Sequence, residues 1–170
     1  MSKSKVISTD DILATLCHSV TGVLSSASGN EISYSAMVQK ITRTCMRPDI
    51  GCFVLFDGGF TGLVVTNFTA QAAMEIYGDY MRNMGMPEDE IAHSHLSDDV
   101  SNVMGELMNQ IVGDFTSKVR EQLHTSITQN QPKMMAINKQ VQISVDTTMD
   151  RPQARGVTFT TRNQNIFYLE

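Results

Sequence analysis

Glu106 and Asn109 stand three residues apart in the longest amphipathic run of this 170-residue chain, and Pro132 completes the spacing E-x2-N-x22-P. Residues three apart on a helix share a face, so an acid and a carboxamide are presented side by side. That pair suits holding a partner protein and a water molecule together. It is the one spacing in the chain that points to a chemistry rather than to a fold.

The helix that carries the pair sets its direction. With Asn102 at zero and about 100° per residue, Glu106 falls near 40°, Asn109 near 340°, Gly113 near 20° and Arg120 near 0°. By the same rule the apolar Val100, Met104, Leu107, Ile111, Phe115 and Val119 gather between about 140° and 260°. Asn102, Glu106, Asn109 and Gly113 therefore form a narrow ridge opposite the apolar face. Most such stripes are simply solvated. Here, though, Asn is a poor interior helix residue and Gly costs roughly 1 kcal/mol relative to Ala. Gly113 also leaves a notch through which another surface can approach the backbone.

The rest of the chain supplies the elements that hold this helix. Asp10 or Asp11 can cap a first helix whose apolar residues Ile12, Leu13, Leu16, Cys17, Val20, Val23 and Leu24 recur at helical spacing; residues 25–30, with Gly29, end it. Residues 31–42 alternate loosely and read as a strand. Residues 51–56 and 60–68 are β-branched and aromatic, and Asp57-Gly58-Gly59 between them is a hairpin signal. Thr69 caps a second helix over 70–83, stopped by Gly85 and Pro87. An acidic loop with His93 and His95 follows. Ser97 caps the third helix, with Asp98 and Asp99 at the positive end of its dipole, and the helix runs to about His124. Strands are predicted over 134–137, 141–146, 156–161 and 166–169. The order argues an α+β fold, helices packed on one face of an antiparallel sheet. Two halves, each a helix followed by strands, hint at an internal duplication.

Composition narrows the classes of function. The chain is 41% hydrophobic and 18% charged, ordinary for a single globular domain over 1–170. Its net charge of −5, with Lys and Arg scattered, leaves no basic footprint for nucleic acid. The polar N-terminus and the lack of a membrane-length apolar run predict a cytoplasmic protein that neither enters nor spans a membrane. Cys17, Cys45 and Cys52 are too few for a paired framework and lack zinc spacing, so buried reduced thiols are expected. The twelve methionines read as adaptable core filler.

The motif, with the stretch FTGLVVTNFTAQAAMEIYGDYMRNMG that precedes it, resembles the CheC, CheX and FliY phosphatases of bacterial chemotaxis. Their signature is [DS]-x3-E-x2-N-x22-P, often with glycine four after the asparagine; here Glu106, Asn109, Gly113 and Pro132 match. A fixed proline, at roughly 5% usage, makes a chance match about twentyfold rarer. The similarity covers residues 51–132, and the flanks share only the order of elements. Asn102 stands where the family has Asp or Ser, and it cannot carry charge. Residues 10–24 hold neither Glu nor Asn, so one site per chain is expected, as in CheX, where CheC-like members often carry two.

The resemblance implies hydrolysis of the aspartyl phosphate of a CheY-like receiver domain. Asn109 would orient the water, Glu106 would bind the receiver's lysine, Asn102 and Gly113 would meet the partner, and Pro132 would shape the chain after the helix. Mg²⁺ is expected on the receiver, with no cofactor or metal held by this chain. A homodimer is compatible with such a fold, whose sheet edges need covering. The competing reading is a non-catalytic module that binds receivers or flagellar-switch components. His93 and His95 among acids read as a solvated loop rather than a metal site, and nothing places a His beside Cys45 or Cys52 for nucleophilic catalysis.

Overall fold

The computed structural model describes residues 6–145 and 153–170. Three helices are present there: α1 (Thr9–Ser28), α2 (Ala70–Asn83) and α3 (Asp98–Gln122). Ten strands accompany them: β1 (Ser33–Tyr34), β2 (Gln39–Lys40), β3 (Thr44–Met46), β4 (Ile50–Gly58), β5 (Gly62–Phe68), β6 (Ile127–Gln129), β7 (Met135–Ala136), β8 (Val141–Ile143), β9 (Arg155–Thr160) and β10 (Ile166–Leu169). The fold is α+β, and every strand pair is antiparallel. The main sheet runs β1-β9-β10-β5-β4-β6, with β2 added to β9 and β7 to β4; β3 and β8 form a separate pair.

Local chemistry explains the boundaries. Thr69 caps α2 through its hydroxyl, which accepts from Ala72 N–H at 3.2 Å, and Asp49 Oδ2 accepts from Ala70 N–H at 2.6 Å. Ser97 caps α3, accepting from Asp99 N–H at 3.2 Å. The cap of α1 is Ser8 rather than Asp10 or Asp11. Ser8 Oγ accepts from Asp11 N–H, and the Asp11 carboxylate accepts from Ser8 N–H in return. Gly29, at φ 69°, closes α1 in the left-handed conformation that glycine adopts without penalty. α3 ends at Gln122, with Leu123 as its C-cap.

Several strands differ from the expectation. Residues 31–42 are two separate two-residue pairings with β9, not one strand. The β4–β5 turn falls after Gly58, so β5 begins at Gly62 instead of residue 60. The predicted strand over 141–146 is confined to Val141–Ile143, and Asp146 lies outside the described residues. β3 and β6 carried no local signal.

Ile50, Cys52, Val54 and Phe56 of β4 alternate into the core, where they meet all three helices along with Phe68, Phe159, Phe167 and Leu169. Phe68, Phe167 and Phe159 stack in sequence across β5, β10 and β9, with centroids 4.7 and 4.9 Å apart. The other sheet face is partly covered by β3, which Asn67 fastens: its Oδ1 accepts from Arg47 N–H at 2.6 Å, and its amide donates to Cys45 O at 3.1 Å.

The duplication is visible in the topology. The strand order reads the same from both ends once β1 is matched with β6, β9 with β4, and β10 with β5; β2 on β9 then answers β7 on β4. The helices share one burial register. Leu13, Leu16, Cys17, Val20, Leu24 and Ser28 of α1 step like Met104, Leu107, Met108, Ile111, Phe115 and Val119 of α3, and all twelve are buried. No helix among the described residues is long and apolar enough to cross a membrane.

Candidate functional site

α3 is fixed by its buried face, and that face determines what the opposite side offers. Val100, Met104, Leu107, Met108, Ile111, Val112, Phe115 and Val119 are buried. Phe115 meets Phe56 edge-on at 5.2 Å between centroids. A helix held along eight positions presents its other face rigidly. Asn102, Glu106 and Gly113 on that face are exposed, and Asn109 is half-buried. The ridge is thus open to solvent from Asn102 to Arg120, which is exposed as well.

No described residue supplies a hydrogen-bond or ion-pair partner to the side chains of Asn102, Glu106 or Asn109. The carboxylate and the amide are therefore available to another molecule. A Cβ built on Gly113 would meet nothing within 4 Å. The glycine is not there to relieve crowding inside this chain.

One flank of the ridge is built from the 132–134 segment. Pro132 and Met134 are buried and Lys133 between them is exposed. Met134 Cγ lies 4.0 Å from the position a Cβ would take on Gly105, one turn before Asn109. Met134 therefore seats this segment against α3. Pro132, expected from the sequence to shape the strand start after the helix, precedes β7, and the sequence reading passed over its neighbours Lys133 and Met134 as site residues. The signal for them was the short in-out-in pattern of Pro, Lys and Met. The other flank of α3 carries Asp114, paired with Lys118 one turn on. Partial burial pushes the Asp114 carboxyl up, but the Lys118 ammonium and the Ser19 hydroxyl together outweigh it and hold the group below the ordinary carboxylate range.

In the matching register of α1, Asn109 corresponds to exposed His18 and Gly113 to exposed Gly22. Glu106 corresponds to Thr15, which is 5% exposed and donates its hydroxyl to Asp11 O at 2.8 Å. The acid-amide pair therefore has no counterpart on α1.

The remaining sequence candidates sort by environment. Burial pushes the Cys17 thiol up to about 12, and burial pushes Cys52 up to about 11 despite the Thr66 hydroxyl 3.2 Å away. Neither supplies thiolate near neutral pH. Glu88, in the loop before α3, is committed to Arg82 at 2.8 and 3.0 Å. Among the described residues no group of three or more His, Cys, Asp or Glu is placed to hold a metal ion.

Solved structures that share this fold include bacterial chemotaxis proteins. The chain aligns with a CheX from Desulfovibrio desulfuricans at TM-score 0.75 and 19% identity, over 94% of this chain and 96% of that one. It aligns with FliY from Thermotoga maritima at TM-score 0.63 and 18% identity, over 96% and 90%. A CheX–CheY–BeF3–Mg²⁺ complex from Borrelia burgdorferi matches at TM-score 0.65 and 12% identity, over 94% and 95%. At these identities the likeness establishes the CheX, CheC and FliY fold. No curated protein matches the chain. The family model described as "Protein of unknown function (DUF3334)" matches residues 3–170, and the chain belongs to that family.

Proposed function

We propose that this protein hydrolyses the aspartyl phosphate of a CheY-like receiver domain, acting through the exposed ridge of α3. The observation that carries the reading is the free state of Glu106 and Asn109: both project from a rigid helix, and neither is engaged by another of the described residues. That a related fold is found bound to a CheY carrying BeF3 and Mg²⁺ supports the choice of partner.

An aspartyl phosphate is an activated acyl phosphate, so placing the attacking water is most of what a second protein can add. Asn109 is a neutral amide and cannot be the general base. It can accept from the water and donate to the phosphoryl group, aligning the attack. The water oxygen bonds to phosphorus and the bond to the aspartate oxygen breaks. The products are a free carboxylate and inorganic phosphate, which keeps both of the water's protons, one on the entering oxygen and one on a phosphoryl oxygen. Glu106, one turn back on the ridge, pairs with the receiver's lysine and sets the register in which Asn109 enters. Mg²⁺ belongs to the receiver in this scheme. Gly113 lets the receiver's backbone close on the helix.

The test is loss of label from a ³²P-phosphorylated receiver. Asn109→Ala should lower the accelerated rate at least about a hundredfold, the scale of losing one positioning group, while binding to the receiver stays near wild type. Wild-type rates in that variant would remove Asn109 from the mechanism. Binding by the wild type with no acceleration would favour a receiver-binding module, a reading to which the uncharged Asn102 lends support.

A further inference from the structure

The ridge has a cation at its edge that the acid and the amide leave unexplained. Lys133 is exposed between buried Pro132 and Met134, and it makes no ion pair or hydrogen bond among the described residues. Its backbone is fastened on both sides. Asn130 Oδ1 accepts from Leu55 N–H at 2.6 Å, and Met135 and Ala136 pair with Gly51 and Ile50 of β4. Met134, 5% exposed and part of the main core, anchors the segment against Gly105.

Gly105 falls near 300° on the α3 projection, between the buried arc and Asn109 near 340°, whereas Glu106 leans the other way near 40°. The segment that carries Lys133 thus meets α3 on the Asn109 side of the ridge, and Glu106 leans to the opposite side.

We propose that Lys133 is a partner-binding residue whose ammonium meets anionic oxygen at the rim of the receiver's phosphorylated pocket while Glu106 meets the cation on the other side. This rests on the receiver-phosphatase reading and adds the residue that gives docking its polarity. A lone acid on the ridge permits several orientations about the helix. A cation and an anion straddling the amide select one, because the reversed pose sets like charge against like. The anchored backbone matters for the same reason, since a lysine on a loose loop would follow its partner in any pose.

The experiment measures affinity for a CheY-like receiver with and without beryllium trifluoride and Mg²⁺, using wild type, Lys133→Glu, Lys133→Arg and Arg120→Glu. Lys133 is exposed, and thermal melts of each variant should match wild type. Lys133→Glu should weaken binding about tenfold or more at low salt, and most of the difference should vanish at high ionic strength as the charges are screened. Lys133→Arg should bind as wild type. Arg120→Glu, farther along the helix, should change affinity much less. Weakening confined to the loaded receiver places the anion on the phosphoryl group, and equal weakening in both states places it on the receiver's carboxylates; both uphold the assignment. Unchanged affinity in Lys133→Glu beside a wild type that binds overturns this inference alone. A wild type that binds no receiver overturns the functional reading as well.

Discussion

Replacing Gly113 should move stability and binding in opposite directions. The residue lies inside a 25-residue helix, exposed, with a negative-φ backbone and nothing within 4 Å of an added Cβ. Gly113→Ala therefore meets no steric penalty and gains the full helix-propensity difference, about 0.8–1 kcal/mol. For a chain of this size that is a rise in Tm of about 2–4 °C. Gly113→Leu should stabilise nearly as much, because Leu is also a good helix former. A leucine in the notch, however, holds the receiver off the backbone. Overpacking costs of about 1–3 kcal/mol in a close-packed contact correspond to roughly 5- to 150-fold weaker binding. Gly22 supplies the control. It occupies the matching place on α1, is exposed too, and also has nothing within 4 Å. Gly22→Leu should raise Tm similarly and leave receiver affinity unchanged. Scanning calorimetry and titration of a BeF3-loaded receiver, run on all three variants, decide the matter. A Gly113→Leu variant that is stabilised and still binds within about twofold of wild type would refute the claim that this glycine marks the docking face.

Two further predictions concern the scaffold. Phe115→Ala removes a fully buried ring packed edge-on against Phe56 and should cost about 3–5 kcal/mol, visible as a fall of order 10 °C in Tm; because the ring points away from the ridge, receiver binding at low temperature should survive. Alkaline conditions should destabilise the fold from about pH 9. Unfolded thiols ionise above their ordinary 9.0, whereas burial keeps Cys17 and Cys52 protonated to about 12 and about 11. In that window the unfolded chain binds fewer protons, so stability falls as pH rises, by up to about 1.4 kcal/mol per pH unit for each thiol. A Cys17→Ala, Cys52→Ala double variant should show a flatter denaturation midpoint between pH 9 and 11. An unchanged slope would count against the thiols as its source.

What was legible in the sequence was what local chemistry determines. Thr69 and Ser97 each combine a capping hydroxyl with helical periodicity, and α2 and α3 begin where those residues place them. Ser8 was harder to see because Asp10 and Asp11 in the same turn are equally good caps by type, and only the reciprocal bonds of Ser8 with Asp11 decide. β1 and β2 are exposed throughout, so no apolar alternation marked where one stopped and the other began. β3 exists through pairing with β8, far away in the sequence, and a three-residue strand has too little pattern to announce that. The ridge followed from periodicity alone. The segment beside it did not, because its position depends on β7 joining β4 and on Met134 finding Gly105.

The duplicated architecture also gives a physical reason for a single acid-amide pair. Both long helices must bury one face at the same register, and they do so with matching apolar steps. That constraint leaves the opposite faces free to diverge. On α1 the position of the acid is a buried threonine whose hydroxyl is spent on its own backbone, and the position of the amide is a histidine. On α3 the corresponding pair is unengaged among the described residues, and exposed Lys133 lies in the segment that Met134 seats beside Gly105. Asn and Gly at exposed helix positions lower the stability of α3 relative to Ala. The glycine is common to both helices, as Gly22 and Gly113, whereas the acid-amide pair is present on α3 alone; folding requires no such pair, and the proposed partner that enters along the ridge does.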